Sequence, residues 1–225
     1  HFQKPFDDDI TSTMVTVMHV LCEKVPGVRL AYTFSDEISL LVQSYANHNS
    51  EPWYGNDLQK IVSITAAYAS SWFTTTIQKT HPGTSPAIFD SRAHVIPEDD
   101  VVNYFIWRQR EATRNSISTY ARHVFSHKGV ENKSCVMLLH DLVEAGKPWK
   151  NLPGRYRYGI AMKKRARSVP PTVRHVFTPD IDSTLNFLDD RTYVKEALLS
   201  SVSEPPHDEM LPTTDTRNNH DNVSD

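Results

Sequence analysis

The chain has 225 residues and a mass of 25.7 kDa, enough for one large domain or for a domain with an appendage. No apolar run approaches the roughly 18 residues that a membrane-spanning helix needs, which argues against a membrane protein. Two cysteines, Cys22 and Cys135, are too few for a disulfide framework. The net charge of −3 means that a nucleic-acid partner would require a local basic patch.

Hydrophobic periodicity predicts a helix at the start of the chain and then two strands. Three acids at positions 7–9 favour a helix N-terminus, and Pro-Gly at positions 26–27 ends the helical pattern. Alternating apolar residues predict strands over 28–34 and 38–42, with only residues 35–37 between them. The pattern therefore predicts a tight hairpin with two adjacent carboxylates at its tip.

The middle of the chain alternates between helical and strand patterns. Helical spacing predicts helices over 58–76, 98–126 and 134–145, and strand patterns cover 87–96 and 156–162. Most connections are too short for a doubly wound parallel sheet. We therefore expect an α+β fold with a palm-like antiparallel sheet of the ferredoxin-like, split βαβ kind and with helices on one face.

Charge is segregated along the C-terminal half of the chain. Residues 146–167 contain eight Lys or Arg and no acid, whereas residues 201–225 contain six acids and one Arg. The basic segment also carries Trp149, Tyr156 and Tyr158, and aromatic rings among cations can stack on bases while the charges follow phosphates. The alternative is an ordinary charged surface. The acidic segment is typical of a disordered tail or a loosely docked arm.

Asp36 and Glu37 are the sharpest chemical feature of the sequence. A rigid hairpin tip presents their carboxylates as hard oxygen ligands, which Mg²⁺ prefers. Phosphoryl and nucleotidyl transfer use two such ions to activate the attacking oxygen and stabilise the leaving one. The alternative is a pair of turn acids that only solvates the hairpin.

The long predicted helix carries a basic stripe. Arg108, Asn115 and Arg122 are spaced by seven residues, and Arg110 and Arg114 lie four apart on a neighbouring stripe. Such a stripe suits contacts to a phosphate backbone. A solvated helix face with cations near the C-terminal dipole explains it equally well.

A series of motifs from Lys4 to Lys164 resembles the tRNA-His guanylyltransferase family, in particular its guanylyltransferase-like branch of bacteria, archaea and some protists. The similar motifs are KPFDD at 4–8, YTFSDEIS at 32–39, KIVS at 60–63, FDSR at 89–92, WRQ at 107–109, ATRNSIS at 112–118 and SHK at 126–128. SDE or WRQ alone would be weak signals, but all of these motifs follow one another in the family's order.

The resemblance implies a palm-like catalytic domain over residues 1–168, followed by a C-terminal arm and an acidic, disordered tail over 169–225. It implies a reverse, 3′-to-5′ nucleotidyltransferase. ATP would activate a tRNA 5′ end, and the 3′-hydroxyl of an incoming nucleoside triphosphate such as GTP would then attack the activated phosphate.

The resemblance also assigns roles to individual residues. Two Mg²⁺ ions would be held by Asp36 and Glu37, and the activating nucleotide would lie among Lys4, Asp7 and Ser35. The triphosphate would be neutralised by Lys60 and Arg92. Contacts to tRNA or triphosphate would come from Arg108, Arg114, Asn115, His127, Lys128 and Arg155.

The sequence departs from the family pattern at two places. The family's first metal aspartate lies in a D-G-R element upstream of K-P-x-D, and because the sequence starts at His1 without that element, we expect a natural N-terminus that is missing here. Thr113 stands where eukaryotic members carry a histidine associated with recognition of the histidine tRNA. This difference favours a broader tRNA 5′-end repair role over guanylate addition.

We therefore expect a Mg²⁺-dependent enzyme that acts on tRNA 5′ ends, forms a homotetramer and resides in the cytoplasm. Two alternatives come from other functional classes. A palm-fold nucleotidyl cyclase would also use an acidic hairpin, but it would leave the basic segment 147–167 without a partner. A non-catalytic tRNA-binding relative would bind tRNA in a salt-sensitive way without turnover.

Overall fold

The computed structural model describes residues 2–44, 51–169, 172–180 and 185–199, except for the side chains of 165–175 and 199. This part of the chain forms seven α-helices and four β-strands. In chain order they are α1 (Asp8–Lys24), β1 (Val28–Phe34), β2 (Glu37–Val42), α2 (Leu58–Thr80), α3 (Val101–Val124), α4 (His127–Val130), α5 (Cys135–Glu144), α6 (Gly154–Tyr158), β3 (Ile160–Val169), β4 (Thr172–Asp180) and α7 (Arg191–Leu199).

The four strands form one sheet in the order β2-β1-β3-β4, and every neighbouring pair is antiparallel. β1 lies inside the sheet, and six of its seven residues are buried. An antiparallel sheet with helices packed on it confirms the predicted α+β fold class. Among the described helices, none is both long and apolar enough to cross a bilayer.

Helices cover both faces of the sheet, so the prediction that they lie on one face is wrong. Ala31 packs in a core with α1 and α2, whereas its neighbours Leu30 and Tyr32 pack in a second core with α3 and α7. The physical reason is visible in the sequence of β1, because the apolar Ala31 lies between Leu30 and Tyr32, and consecutive apolar residues are typical of a strand that is buried on both sides.

The predicted strand over 87–96 is wrong. These residues run in an extended conformation outside the sheet, and two of their amides bond to hydroxyls of α2. Ala87 N–H donates to Thr74 Oγ1 (3.0 Å) and Phe89 N–H donates to Ser70 Oγ (2.9 Å). The side chain of Val95 is 99% exposed. The strand-like pattern therefore reflects an extended segment docked on a helix.

The predicted strand over 156–162 is half correct. Residues up to Tyr158 belong to the short helix α6, and the strand begins only at Ile160, after Gly159. Carbonyls of α6 accept hydrogen bonds from side chains instead of strand partners: Ser116 Oγ donates to the Tyr156 carbonyl (2.5 Å), and Gln109 Nε2 donates to the Tyr158 carbonyl (3.2 Å).

The sheet and its core continue past residue 168, where the sequence suggested a boundary. That position lies inside β3, which pairs with β4 over its length. Phe187 and Val194, before and within α7, are fully buried against α3 and β1. The acidic segment over 201–225 lies outside the described residues.

A satellite of helices extends from the sheet. The second half of α3 packs with α5 and Trp149 through Ile117, Ala121 and Leu142. α3 therefore joins two cores, one on the sheet and one in this satellite.

Candidate active site

The β1–β2 hairpin is tight, as predicted, but its loop has two residues and not the three expected, because Glu37 already belongs to β2. Phe34 pairs with Glu37, so only Ser35 and Asp36 lie between the strands. Ser35 has a left-handed backbone with φ of 55°, which is typical of tight hairpin loops. The side chains of Asp36 and Glu37 are both exposed. The sequence thus predicted correctly that two carboxylates project from the end of the sheet.

A cation from α3 stands beside one of these carboxylates. Arg108 Nη2 donates a hydrogen bond to Glu37 Oε2. The Arg108 side chain is only 17% exposed, and its guanidinium lies 5.0 Å from the centre of the Trp107 ring. The structure therefore brings Arg108 and Glu37 together, and this carboxylate already faces a positive charge.

The N-terminus of α1 lies at the same end of the sheet, because α1 runs antiparallel to β1. Asp7 caps this helix by accepting hydrogen bonds from the amides of Gln3 (2.6 Å), Asp9 (2.9 Å) and Ile10 (3.0 Å). Burial raises the pKa of Asp7, but the amide hydrogen bonds outweigh it and hold the pKa below its usual value. Lys4 is exposed just before the cap.

Helix α6 connects the α1 N-terminus to the sheet. Asp8 accepts hydrogen bonds from the Tyr156 hydroxyl (2.5 Å) and from Arg155 Nη2 (3.0 Å). Phe6 stacks on the Tyr156 ring with 4.8 Å between centroids. At the other end of α6, Tyr32 Oη donates to the Tyr158 carbonyl (2.7 Å). α6 thus fixes the position of the α1 N-terminus relative to β1, which leads into the hairpin.

The ion pair with α6 perturbs Asp8. The hydrogen bond from the Tyr156 hydroxyl lowers the pKa of Asp8, and the charge of Arg155 lowers it further. Burial raises this pKa, but the two favourable contacts outweigh it, so the pKa lies below its usual value. Burial also raises the pKa of the Tyr32 hydroxyl, which stays a neutral hydrogen-bond donor. Arg155, predicted to contact tRNA, is therefore engaged with Asp8 in this structure.

Lys60 and Arg92 are not brought to the hairpin within one chain. α2 runs antiparallel to α1, because His81 at its C-terminal end lies 2.9 Å from Asp9. Lys60 is about 30 Å from this end by the rise of an α-helix. The extended segment follows α2 back toward Lys60, since Ser91 Oγ lies 2.7 Å from Thr65 Oγ1.

The remaining predicted contacts lie on the outer surface of α3 and α4. Arg114 and Asn115 are exposed, and Arg114 pairs with Glu111 one turn earlier. His127 and Lys128 begin α4 and are exposed. They lie roughly 28 Å along the chain from Arg108 by the rise of a helix, so these cations are spread over one long surface.

The aromatic rings of the basic segment face inward. Trp149 is 8% exposed and donates its indole N–H to Ser116 Oγ (2.9 Å), so the prediction that it stacks on bases is wrong. Tyr156 is stacked on Phe6, and Tyr158 meets Trp149 edge-on at 5.7 Å. Sequence spacing alone does not distinguish aromatic rings that pack in a core from exposed rings that bind a ligand.

One group of potential metal ligands was not predicted. The side chains of Asp7, Asp9 and His81 place one ligand atom each within 4.8 Å of one another. No sequence signal links His81 to residues that lie 72 or more positions earlier. The oxygens of Asp7 already accept three amide hydrogen bonds, and Asp9 lies 2.9 Å from His81. These contacts join the N-terminus of α1 to the C-terminal end of α2.

Comparison with known proteins agrees with the fold. The family model "tRNAHis guanylyltransferase (Thg1)" matches residues 1–97. A bacterial tRNA(His) guanylyltransferase-like protein, solved in complex with ATP, is 32% identical over 88% of this chain and 82% of that chain, with a TM-score of 0.80. A bacterial guanylyltransferase-like protein in complex with GTP gives 32% identity, the same coverage and a TM-score of 0.75.

The tRNA(His) guanylyltransferase of Saccharomyces cerevisiae is similar in fold, with 18% identity, coverage of 72% of this chain and 76% of that chain, and a TM-score of 0.62. No protein with a curated description matches the chain.

An antiparallel α+β sheet with an acidic hairpin at its end, matched over most of its length by guanylyltransferase-like proteins, defines a nucleotidyltransferase. The chain belongs to the tRNAHis guanylyltransferase family.

Proposed function

We propose that the protein is a Mg²⁺-dependent 3′–5′ nucleotidyltransferase that activates a tRNA 5′ end with ATP and then adds nucleotides to it. The observation that carries this proposal is the exposed Asp36–Glu37 pair at a rigid hairpin tip in a member of this family. ATP and GTP are ligands of the bacterial relatives, which supports nucleoside triphosphates as substrates here.

The residues at the hairpin tip fit a divalent cation. Both offer carboxylate oxygens, the hard ligands that Mg²⁺ prefers. Glu37 already binds one positive group, the guanidinium of Arg108. Two bound Mg²⁺ ions would activate the attacking oxygen and neutralise charge on the leaving group. Because Arg108 and an ion would compete for Glu37, the Arg108 guanidinium would be available to substrate phosphates when a metal is bound.

The activating nucleotide would lie among Lys4, Asp7 and Ser35, close to the hairpin. The α1 N-terminus and the C-terminal end of β1 lie at the same end of the sheet. The contacts of Asp8 with α6 hold them next to each other. Exposed Lys4 supplies a positive charge for phosphate oxygens, and Asp7 is kept ionised by the three amides that it accepts from.

Phosphate contacts farther from the hairpin are assigned to two groups of residues. Lys60 and Arg92 lie at the distant end of α2, so their role in neutralising the triphosphate requires a second copy of the chain to supply them. The proposed homotetramer provides such copies. The cations of α3 and α4 would follow the tRNA.

Nucleotide addition to a 5′-truncated tRNA tests this proposal. The unaltered protein, given ATP, labelled nucleoside triphosphates and Mg²⁺, is expected to extend the tRNA. Asp36→Asn and Glu37→Gln are expected to lose extension, whereas Glu23→Gln, an exposed acid paired with His19 on α1, serves as the matched control.

Three outcomes would contradict the proposal. Undiminished extension by Asp36→Asn would exclude the hairpin as the metal site. Cyclic nucleotide formed without RNA would identify a cyclase, and tRNA binding without any Mg²⁺-dependent turnover would identify a non-catalytic relative.

A further inference from the structure

Some cations of the basic segment form ion pairs with acids of the protein, and Arg157 does not within the described residues. Arg155 is paired with Asp8, and Lys163 is paired with Glu196. Arg157 makes no ion pair within the described part of the chain. Its guanidinium instead lies over two aromatic rings, 5.6 Å from the centre of Trp149 and 5.0 Å from that of Tyr158.

Arg157 also leaves a donor unused. Its Nε is buried and, among the described residues, has no hydrogen-bond partner. A buried donor without an acceptor is costly, and in folded proteins such groups are rare enough to require a specific explanation. Because this Nε is buried, an incoming anion would meet the terminal nitrogens of the guanidinium, and a charge-assisted hydrogen bond to an anionic oxygen is the contact that these donors favour most.

The rings under Arg157 form a fixed platform. Trp149 is held by its hydrogen bond to Ser116, and it meets Tyr158 edge-on with an interplanar angle of 84°. Tyr158 is tied in turn through its carbonyl to Tyr32. The guanidinium has therefore already lost much of its rotational freedom, which lowers the entropic cost of binding a ligand.

The charge around Arg157 attracts anions. Residues 145–179 contain no acid, and Lys147 and Lys150 are exposed on either side of Trp149. Arg155 and Arg157 are two residues apart on α6 and so point in different directions. Arg155 faces α1 and the proposed nucleotide pocket, whereas Arg157 faces the satellite of α3 and α5.

We propose that Arg157 is a preorganised contact for a backbone phosphate of RNA, and that Lys147 and Lys150 extend this contact along the strand. The inference rests on the proposed function and deepens it. A polymer is favoured over a free triphosphate because Arg157 lies over Trp149 on the side of the satellite, whereas Arg155 faces the proposed nucleotide pocket, and because Lys147 and Lys150 add two exposed cations next to Trp149.

Binding of a 5′-truncated tRNA to the full chain at several NaCl concentrations tests the inference. Arg157→Gln removes the charge and leaves a shorter, neutral polar side chain. It is expected to weaken tRNA binding about tenfold and to reduce the slope of log Kd against log [NaCl] by about one. The KM for ATP is expected to stay unchanged.

Two further variants complete the design. Arg157→Lys keeps the charge without the planar guanidinium and should fall between the unaltered protein and Arg157→Gln. Lys133→Ala removes a cation of the same satellite that is paired with Asp141, and it should leave tRNA affinity within about twofold of the unaltered protein. Thermal unfolding of each variant verifies that it folds.

Equal tRNA affinity of Arg157→Gln and Lys133→Ala would overturn the inference. So would a raised KM for ATP with unchanged tRNA affinity, which would place Arg157 at the triphosphate. If the unaltered protein extends tRNA while Arg157→Gln binds it normally, only the inference fails. If the unaltered protein neither binds nor extends tRNA, the proposed function fails as well.

Discussion

Gly159 lies between α6 and β3, where the structure leaves no room for a side chain. Its φ is 78°, and a Cβ at this position would lie 2.6 Å from the Thr33 carbonyl oxygen and 2.7 Å from the Tyr32 hydroxyl. Neither neighbour moves freely, because Thr33 belongs to the strand inside the sheet and Tyr32 is buried. We therefore predict that Gly159→Ala destabilises the fold strongly.

The expected magnitude has three contributions. With φ of 78° and ψ of −169°, Gly159 lies in a backbone region that essentially only glycine adopts, and another residue there costs about 1–3 kcal/mol. Relieving the contact with β1 adds about 1–3 kcal/mol of overpacking. Displacing the Tyr32 hydroxyl loses its hydrogen bond to Tyr158, which contributes about 1 kcal/mol. Together these contributions predict that the free energy of unfolding falls by about 3–7 kcal/mol.

Urea denaturation at equilibrium measures this effect, and Gly146→Ala is the matched control. Gly146 also has a positive φ, 69°, but a Cβ at this position would have no neighbour within 4 Å. Only the backbone cost of about 1–2 kcal/mol therefore applies to the control. If both variants lose the same free energy of unfolding, the proposed crowding between Gly159 and β1 is refuted.

Three further predictions concern the same region. Ser116→Ala removes the acceptor of the Trp149 indole N–H and the donor to the Tyr156 carbonyl; it is expected to lower the free energy of unfolding by about 2–4 kcal/mol, and an unchanged thermal unfolding midpoint would contradict this. Tyr32→Phe is expected to cost about 1 kcal/mol in urea denaturation, and no loss would show that its hydroxyl bond is replaceable. Asp8→Asn tests pH linkage: the folded-state pKa of Asp8 is lowered, so its contribution to stability is fully present above the unfolded-state value of 3.8 and is lost as pH falls through the folded-state pKa. The stability difference between Asp8→Asn and the unaltered protein should therefore shrink as pH falls below 3.8, and a difference that does not change with pH would contradict the assignment.

The sequence predicted the hairpin well because every local signal agreed there. Apolar alternation, a short polar break and two adjacent acids all favour the same tight turn, and its register follows from pairing of Phe34 with Glu37. The start of α1 among the acids at positions 7–9 was similarly local. Such features depend on a few neighbouring residues, so a single sequence is enough to find them.

Features that depend on contacts distant in sequence were not predicted. The segment near Phe89 has a strand pattern, but its amides donate hydrogen bonds to side-chain hydroxyls of α2 and not to a neighbouring strand. Tyr156 and Tyr158 alternate like strand residues, yet side chains from α3 and β1 bind their carbonyls in a helical turn. The ion pair of Arg155 with Asp8 joins residues 147 positions apart, which spacing does not reveal.

Binding of Mn²⁺ by the full chain, followed by electron paramagnetic resonance in the presence of a non-hydrolysable triphosphate, tests most directly whether the hairpin acids hold divalent cations. We predict two bound ions for the unaltered protein, and a loss of binding of at least one ion in Asp36→Asn and in Glu37→Gln, with Glu23→Gln unchanged. Binding isotherms that are identical for all four proteins would contradict the central claim.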